Sequence, residues 1–255
     1  MKKTAILLAA AGLMLCGCEL EQAQTDNEKT AESRRNALIQ PVSANMAVKP
    51  TVVIDPGHGG MDGGGVSVNN VPEKGINLNI ALGLSDMLRL MGYEVKLTRT
   101  DDRSIHDDGV EGLREQKLSD MKNRLEMFNT PDAVCISIHQ NRFTDPKYHG
   151  AQMFYYKDNS QAGRLAENLR LRIKGLLQPD NERETKAMDD ELYLLKNCVN
   201  PAVMAECGFL SNPEEANLLE HEPYQKEISF ALMCGINDYH IESGRISEKN
   251  RENSR

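Results

Sequence analysis

Thr51-Val52-Val53-Ile54-Asp55-Pro56-Gly57-His58-Gly59-Gly60 begins as an unbroken apolar run and ends in a histidine wrapped in glycine. Ala133-Val134-Cys135-Ile136-Ser137-Ile138-His139 repeats the pattern, with the polar pair Gln140-Asn141 behind it. Short continuous apolar runs read as strands buried on both faces, as in a parallel sheet covered by helices. Between them Ile76, Ile80, Leu84 and Leu88 recur at helical spacing from a start near Glu73 or Lys74, Gly92 ends the helix, and 93–98 reads as a strand. An acidic loop over 100–112 leads to a helix at 113–129. Beyond His139 follow a strand at 151–156, a helix at 160–177, short strands at 192–195 and 202–206, a helix opened by Asn212-Pro213, and a last helix at 223–240. Strands alternating with helices predict an α/β fold: a single domain, with a mostly parallel, mixed sheet and helices on both faces.

Ligands of such sheets collect beyond the carboxyl ends of the strands. Two imidazoles delivered to that edge, His58 and His139, point to a metal site. Catalytic zinc commonly takes three protein ligands of nitrogen and oxygen type. Glu73 could supply the oxygen, because the long loop from Gly59 to Pro72 can return it to the sheet edge as its helix begins. The same glutamate could equally serve the helix dipole, and spacing does not choose between the two. Glu206 ends another apolar strand, where a carboxylate costs several kcal/mol unless paired or functional. His106 among Asp101, Asp102, Asp107 and Asp108 reads as a solvated loop, and His149, His221 and His240 have no supporting context. A Cys207–His139 nucleophile is disfavoured, since Glu206 would raise the thiol pKa.

The rest of the 255 residues frames this centre. Lys2 and Lys3 precede an apolar run from Ala5 to Leu15, too short to span a bilayer comfortably but suited to a signal segment. The run ends in Leu15-Cys16-Gly17-Cys18, which resembles a bacterial lipobox with Cys18 as the lipidated residue. Residues 1–18 are therefore expected to be a signal peptide, 19–48 a disordered tether, 49–241 the folded domain and 242–255 a disordered tail. The domain is expected outside the cytoplasm, held at a membrane through the lipid or the signal segment. Cys135, Cys198, Cys207 and Cys234 are expected to be buried thiols. A net charge of -8 argues against nucleic acid as a partner.

Asp55-Pro56-Gly57-His58-Gly59-Gly60 with Asp62 and Gly64, then Glu73-Lys74, Ser137-Ile138-His139-Gln140-Asn141 and Pro201-Ala202-Val203-Met204-Ala205-Glu206-Cys207-Gly208-Phe209-Leu210-Ser211-Asn212 resemble, in order, the zinc-dependent N-acetylmuramoyl-L-alanine amidases. The resemblance implies one zinc ion on His58, Glu73 and His139, Glu206 as catalytic acid/base, and about six strands. It favours the ligand role for Glu73. Asn141 becomes a candidate substrate-binding residue. Gln140 departs from the small or apolar residue usual there and is expected to tune the groove. Arg114, Asp120 and Arg124, the stretch 150–156, Arg183 with Lys186, and 193–197 are similar to the germination-specific amidases of spore formers. That likeness implies spore-cortex peptidoglycan as substrate, muramic δ-lactam as the outcome, the forespore intermembrane space or the wall as the setting, and an accessory protein or a downstream deacetylase as partner. Some relatives carry an autoinhibitory helix; between Glu73 and His139 only helix, strand, loop and helix are counted, so an open groove is expected. The rivals are a zinc peptidase cutting within the stem peptide, a cell-wall deacetylase, and a non-catalytic wall-binding module.

Overall fold

Val52, Val53 and Ile54 are fully buried because β1 (Val52–Pro56) has a paired strand on each side and side chains packed on both faces. The computed structural model describes residues 49–253, with side chains as far as Gly244. In chain order β1 is followed by α1 (Glu73–Leu90), β2 (Val95–Leu97), α2 (Leu113–Phe128), β3 (Val134–Asn141), β4 (Gln152–Tyr156), α3 (Ser160–Leu176), β5 (Lys186–Met188), α4 (Tyr193–Asn197), β6 (Ala202–Phe209), α5 (Pro213–Leu219) and α6 (Glu222–Asn253). The six strands form one sheet in the order β2-β1-β3-β6-β4-β5. β2, β1, β3 and β6 are mutually parallel, β4 is antiparallel to β6, and β5 is parallel to β4. The expected mixed α/β sheet is therefore present.

Alternation along the strands divides the core in two. Val52, Ile54, Ile136, Ile138, Val203, Ala205 and Met153 face α1, α3 and α6, whose buried stripes include Ile80, Leu84, Leu169, Ile228 and Leu232. Val53, Cys135 and Ala202 face the other way, toward Phe128 at the end of α2 and Leu194 and Leu195 of α4.

Two expectations are corrected. Residues 192–195 are not a strand: Tyr193–Asn197 is the single-turn helix α4, closed by the Cys198 amide donating to the Leu194 carbonyl at 3.0 Å. A four-residue apolar run carries no period that separates strand from helix. The missing strand is β5, Lys186–Met188, an edge strand whose exposed residues gave no apolar signal. The last helix does not stop near 240 but runs through 242–253, so that stretch of the expected disordered tail is helical. No proline follows Pro223 to break it, and helix propagation is cooperative. The signal segment, the tether and Cys18 lie outside the described residues. Among the described residues no helix is long and apolar enough to cross a membrane.

Candidate metal centre

His58 stands just past β1, His139 in the last turns of β3, and Glu73 is the first residue of α1. The Gly59–Pro72 loop folds back to bring that helix start to the sheet edge. The Glu73 amide donates to the Gly65 carbonyl at 2.8 Å and the Lys74 amide to the Gly63 carbonyl at 3.2 Å, so the loop supplies acceptors to the helix's first N–H groups. Glu73 then reaches both histidines. Its Oε2 lies 3.3 Å from His58 Nε2 and its Oε1 3.0 Å from His139 Nδ1. The rings pack edge to face with centroids 4.9 Å apart. One ligand-type atom from each of the three residues falls within 4.8 Å of the others, and among the described residues this is the one such group of three or more. Two imidazoles and a carboxylate match the donor set of catalytic zinc, with room left for water or substrate.

The crowding explains two glycines. A Cβ at Gly57 would lie 2.2 Å from the His139 ring, and one at Gly64 would lie 2.5 Å from His58 and 2.6 Å from Glu73 Oε2. Gly64 also has φ +71°, where a side chain is strained. His58 itself has φ +62°, an uncommon value for a residue with a Cβ. Two buried arginines hold this bend. Arg124 donates to the carbonyls of Pro56 at 3.1 Å and His58 at 2.8 Å, and Arg99 donates to those of Pro56 at 3.0 Å and Gly57 at 2.9 Å. Arg124 is in turn paired with Asp55, whose carboxylate also accepts from Thr98 and Ser137, each at 2.6 Å. Nothing along the chain assigns a role to Asp55, Asp62 or Arg99, and Arg124 is marked there only by its likeness to the germination-specific amidases. The available signal was charge inside apolar surroundings, which is expensive without partners.

Electrostatics separate the acids. Burial works against ionisation of Glu73, but His139 and His58 outweigh it and hold its carboxyl well below the usual range. Burial likewise disfavours protonated His58, yet Glu73 and Asp62 raise it to about 9. Asp62 Oδ2 sits 2.9 Å from His58 Nδ1, the outer contact that orients a ligating imidazole. Glu206 faces His139 across the β3–β6 pairing. It differs from the others: its Oε2 is sealed from solvent and has no hydrogen-bond partner among the described residues. Burial, with Glu73 adding to it and His139 opposing, pushes Glu206 up to about 7. A cavity of about 240 Å³ opens on this face between His58, His139 and Met204 on one side and Arg124 and Leu192–Leu194 on the other.

Asn141 follows on the His139 face, opposite Phe209, and its side chain makes no hydrogen bond among the described residues. Gln140 does not line the groove as expected. Alternation turns it inward, where its amide donates to Glu73 Oε1 at 3.0 Å and its side chain to Asn77 at 3.2 Å. His106 bonds to Ser104 and joins no metal group. Cys135, Cys198, Cys207 and Cys234 are free thiols, and burial followed by Glu206 pushes Cys207 far up, which leaves it inert as a nucleophile. The stretch between Glu73 and His139 contains α1, β2, a loop and α2, and His58 keeps 24% of its side chain exposed.

The N-acetylmuramoyl-L-alanine amidase family profile matches residues 52–238. A germination-specific N-acetylmuramoyl-L-alanine amidase of Bacillus subtilis is 34% identical over 194 residues, covering 76% of this chain and 81% of the relative. The CwlD amidase from Clostridioides difficile, solved in complex with the GerS lipoprotein, superposes with a TM-score of 0.72 at 39% identity, over 75% of this chain and 98% of that one. The amidase AmiC2 of Nostoc punctiforme gives 0.62 at 28% identity, over 74% and 96%.

Proposed function

This chain belongs to the N-acetylmuramoyl-L-alanine amidase family and is a cell-wall amidase, and we propose that it acts as a zinc hydrolase on spore-cortex peptidoglycan. In this reading His58, Glu73 and His139 hold the metal, which when bound supplies Lewis acidity and brings the pKa of a water down to about 7. Glu206 takes the proton of the attacking water as its oxygen adds to the lactyl carbonyl of N-acetylmuramic acid. The same carboxyl then protonates the alanine nitrogen as the C–N bond breaks, leaving a lactyl carboxylate and a free amine. A carboxyl beside the reacting atoms serves both directions of transfer. The observation that carries the reading is the unpartnered Glu206 Oε2 beside the two histidines and Glu73. A carboxylate kept buried without a hydrogen bond costs stability, and a site that uses it explains why it stays.

The cortex substrate is supported by the Bacillus subtilis relative, whose name specifies germination. Removal of stem peptides there would prepare muramic acid for δ-lactam formation by a downstream deacetylase. An accessory lipoprotein is proposed as partner because the Clostridioides difficile relative was solved with one. Export and lipidation at Cys18 complete the proposal, and replacing Cys18 with Ala should release the protein from the membrane fraction. The principal test is digestion of purified cortex and vegetative peptidoglycan with and without chelator, followed by mass analysis. The expected products are peptides beginning with L-alanine and glycans with intact lactyl groups, abolished by chelator and restored by zinc. Cleavage within the stem peptide would instead identify a peptidase.

A further inference from the structure

Glu206 and Gln152 lie directly opposite each other in the β6–β4 pairing, and His139 is opposite Glu206 on its other side. Directly paired residues share a face, so His139, Glu206 and Gln152 form a row across three strands. Arg183, in the loop before β5, extends that row. Its Nη1 donates to Gln152 Oε1 at 2.9 Å, its Nε donates to the His149 carbonyl at 2.8 Å, and its guanidinium lies 4.6 Å from the centre of the Phe209 ring. Lys186 continues it, opposite Phe154, two residues along β4 from Gln152.

Neither cation has a carboxylate within 4.0 Å among the described residues. Of the neighbouring acids, Glu215 accepts from the Gly150 and Phe209 amides and Glu184 pairs with Arg170, while Asp180 and Glu182 line the hollow beside Arg183 without coming within 4.0 Å of it. On the opposite flank the corresponding lysines are neutralised, Lys117 by Asp62 at 3.3 Å and Lys74 by Asp102 at 2.7 Å. In a chain of net charge -8, Arg183 and Lys186 put unpaired positive charge on the β4–β5 side of the centre.

Building on the amidase reading, we infer that Arg183 is the receptor for a stem-peptide carboxylate and that the peptide leaves the centre across β6 and β4 toward β5. Glu206 must reach the alanine nitrogen, so the peptide side of the cleaved amide lies on the Glu206 side. The next residue of a peptidoglycan stem is a glutamate linked through its γ-carboxyl, which leaves its α-carboxylate free. Two peptide residues span about 7 Å, and adjacent strands are about 4.8 Å apart. That carboxylate therefore reaches the first cation beyond Gln152. A planar guanidinium held by its Nε and one Nη1 keeps a further edge for an anion.

The test uses two soluble muropeptides that differ in one group, the α-carboxylate of this glutamate or its carboxamide. Wild-type zinc enzyme should show a KM about tenfold lower for the acid, the scale of one charge-assisted hydrogen bond. Arg183→Gln should raise KM for the acid to that of the amide with kcat little changed, and Arg183→Lys should keep most of the preference. Equal KM values for both substrates in the wild type would overturn the inference. So would a variant that slows both substrates equally, which is what a purely structural role through Gln152 predicts. If the wild type releases no alanine amine from either, the amidase reading falls and takes this inference with it.

Discussion

Asp55 on β1 and Glu206 on β6 are carboxyls on apolar strands that flank β3 on either side, yet their surroundings push them in opposite directions. Asp55 is fully buried, and burial alone would raise its pKa, but Arg124, Ser137 and Thr98 reverse this and lower it. Glu206 has no hydrogen bond on its sealed oxygen, and burial prevails. The first carboxylate fixes the backbone that presents His58. The second is left unpaired next to His58, Glu73 and His139, where the proposed mechanism has it gain and lose a proton. Complete satisfaction belongs to the scaffold here, and incomplete satisfaction belongs to the carboxyl proposed as the acid/base.

Substitutions can break that contrast. The largest effect expected is on turnover: Glu206→Gln should retain zinc yet lose about a thousandfold in kcat, within the range for a general acid/base. Metal analysis alongside initial rates checks it, and wild-type rates in this variant would remove Glu206 from the mechanism. His58→Ala and His139→Ala should instead lose the metal itself.

On the scaffold side, Arg124→Met leaves Asp55 buried and unpaired, with an expected loss of about 3–5 kcal/mol in urea unfolding. A loss below 1 kcal/mol would mean that the buried pair is dispensable.

The two carboxyls should also differ in how stability responds to pH. Glu206 has a folded pKa near 7, above its ordinary 4.5, so the native state binds the extra proton between those values. Its contribution is fully present below about 4.5 and is lost as pH rises through 7. In chelator, Glu206→Gln should therefore stabilise the protein by about 3 kcal/mol at pH 8 and little at pH 4.5. Melting curves at the two pH values give the answer. Asp55 has the opposite sign: its pKa is lowered, so its contribution is present above its ordinary 3.8 and lost below it.

The smallest effect concerns the outer contact on His58. Asp62→Asn keeps shape and removes charge, and should weaken zinc binding about tenfold in competition with a chromogenic chelator. Affinity equal to wild type would show that Glu73 and the backbone clamp already orient the ring.

Much of this molecule is legible along the chain. The apolar runs before His58 and His139 specify buried strands, and the Ile76–Leu88 stripe specifies the helix covering them. What failed was short or edge-lying. Four apolar residues at 192–195 are one helical turn, and the solvent-facing β5 has no hydrophobic period to read. The site followed the same division. His58, His139 and Glu206 were marked by their places at strand ends. Arg99, Arg124 and Asp55 were not, because their partners are up to 82 residues away along the chain.

Local periodicity and composition encode the α/β order, the carboxyl-edge location of the centre and the residue types able to bind metal. That Glu73 bridges both histidines, that Gln140 turns inward, that Glu206 Oε2 has no partner among the described residues and that Arg183 extends its row follow from the folded arrangement. Those facts depend on which strands become neighbours and in what register. Pairing across the sheet is set by long-range packing, and no local pattern records it.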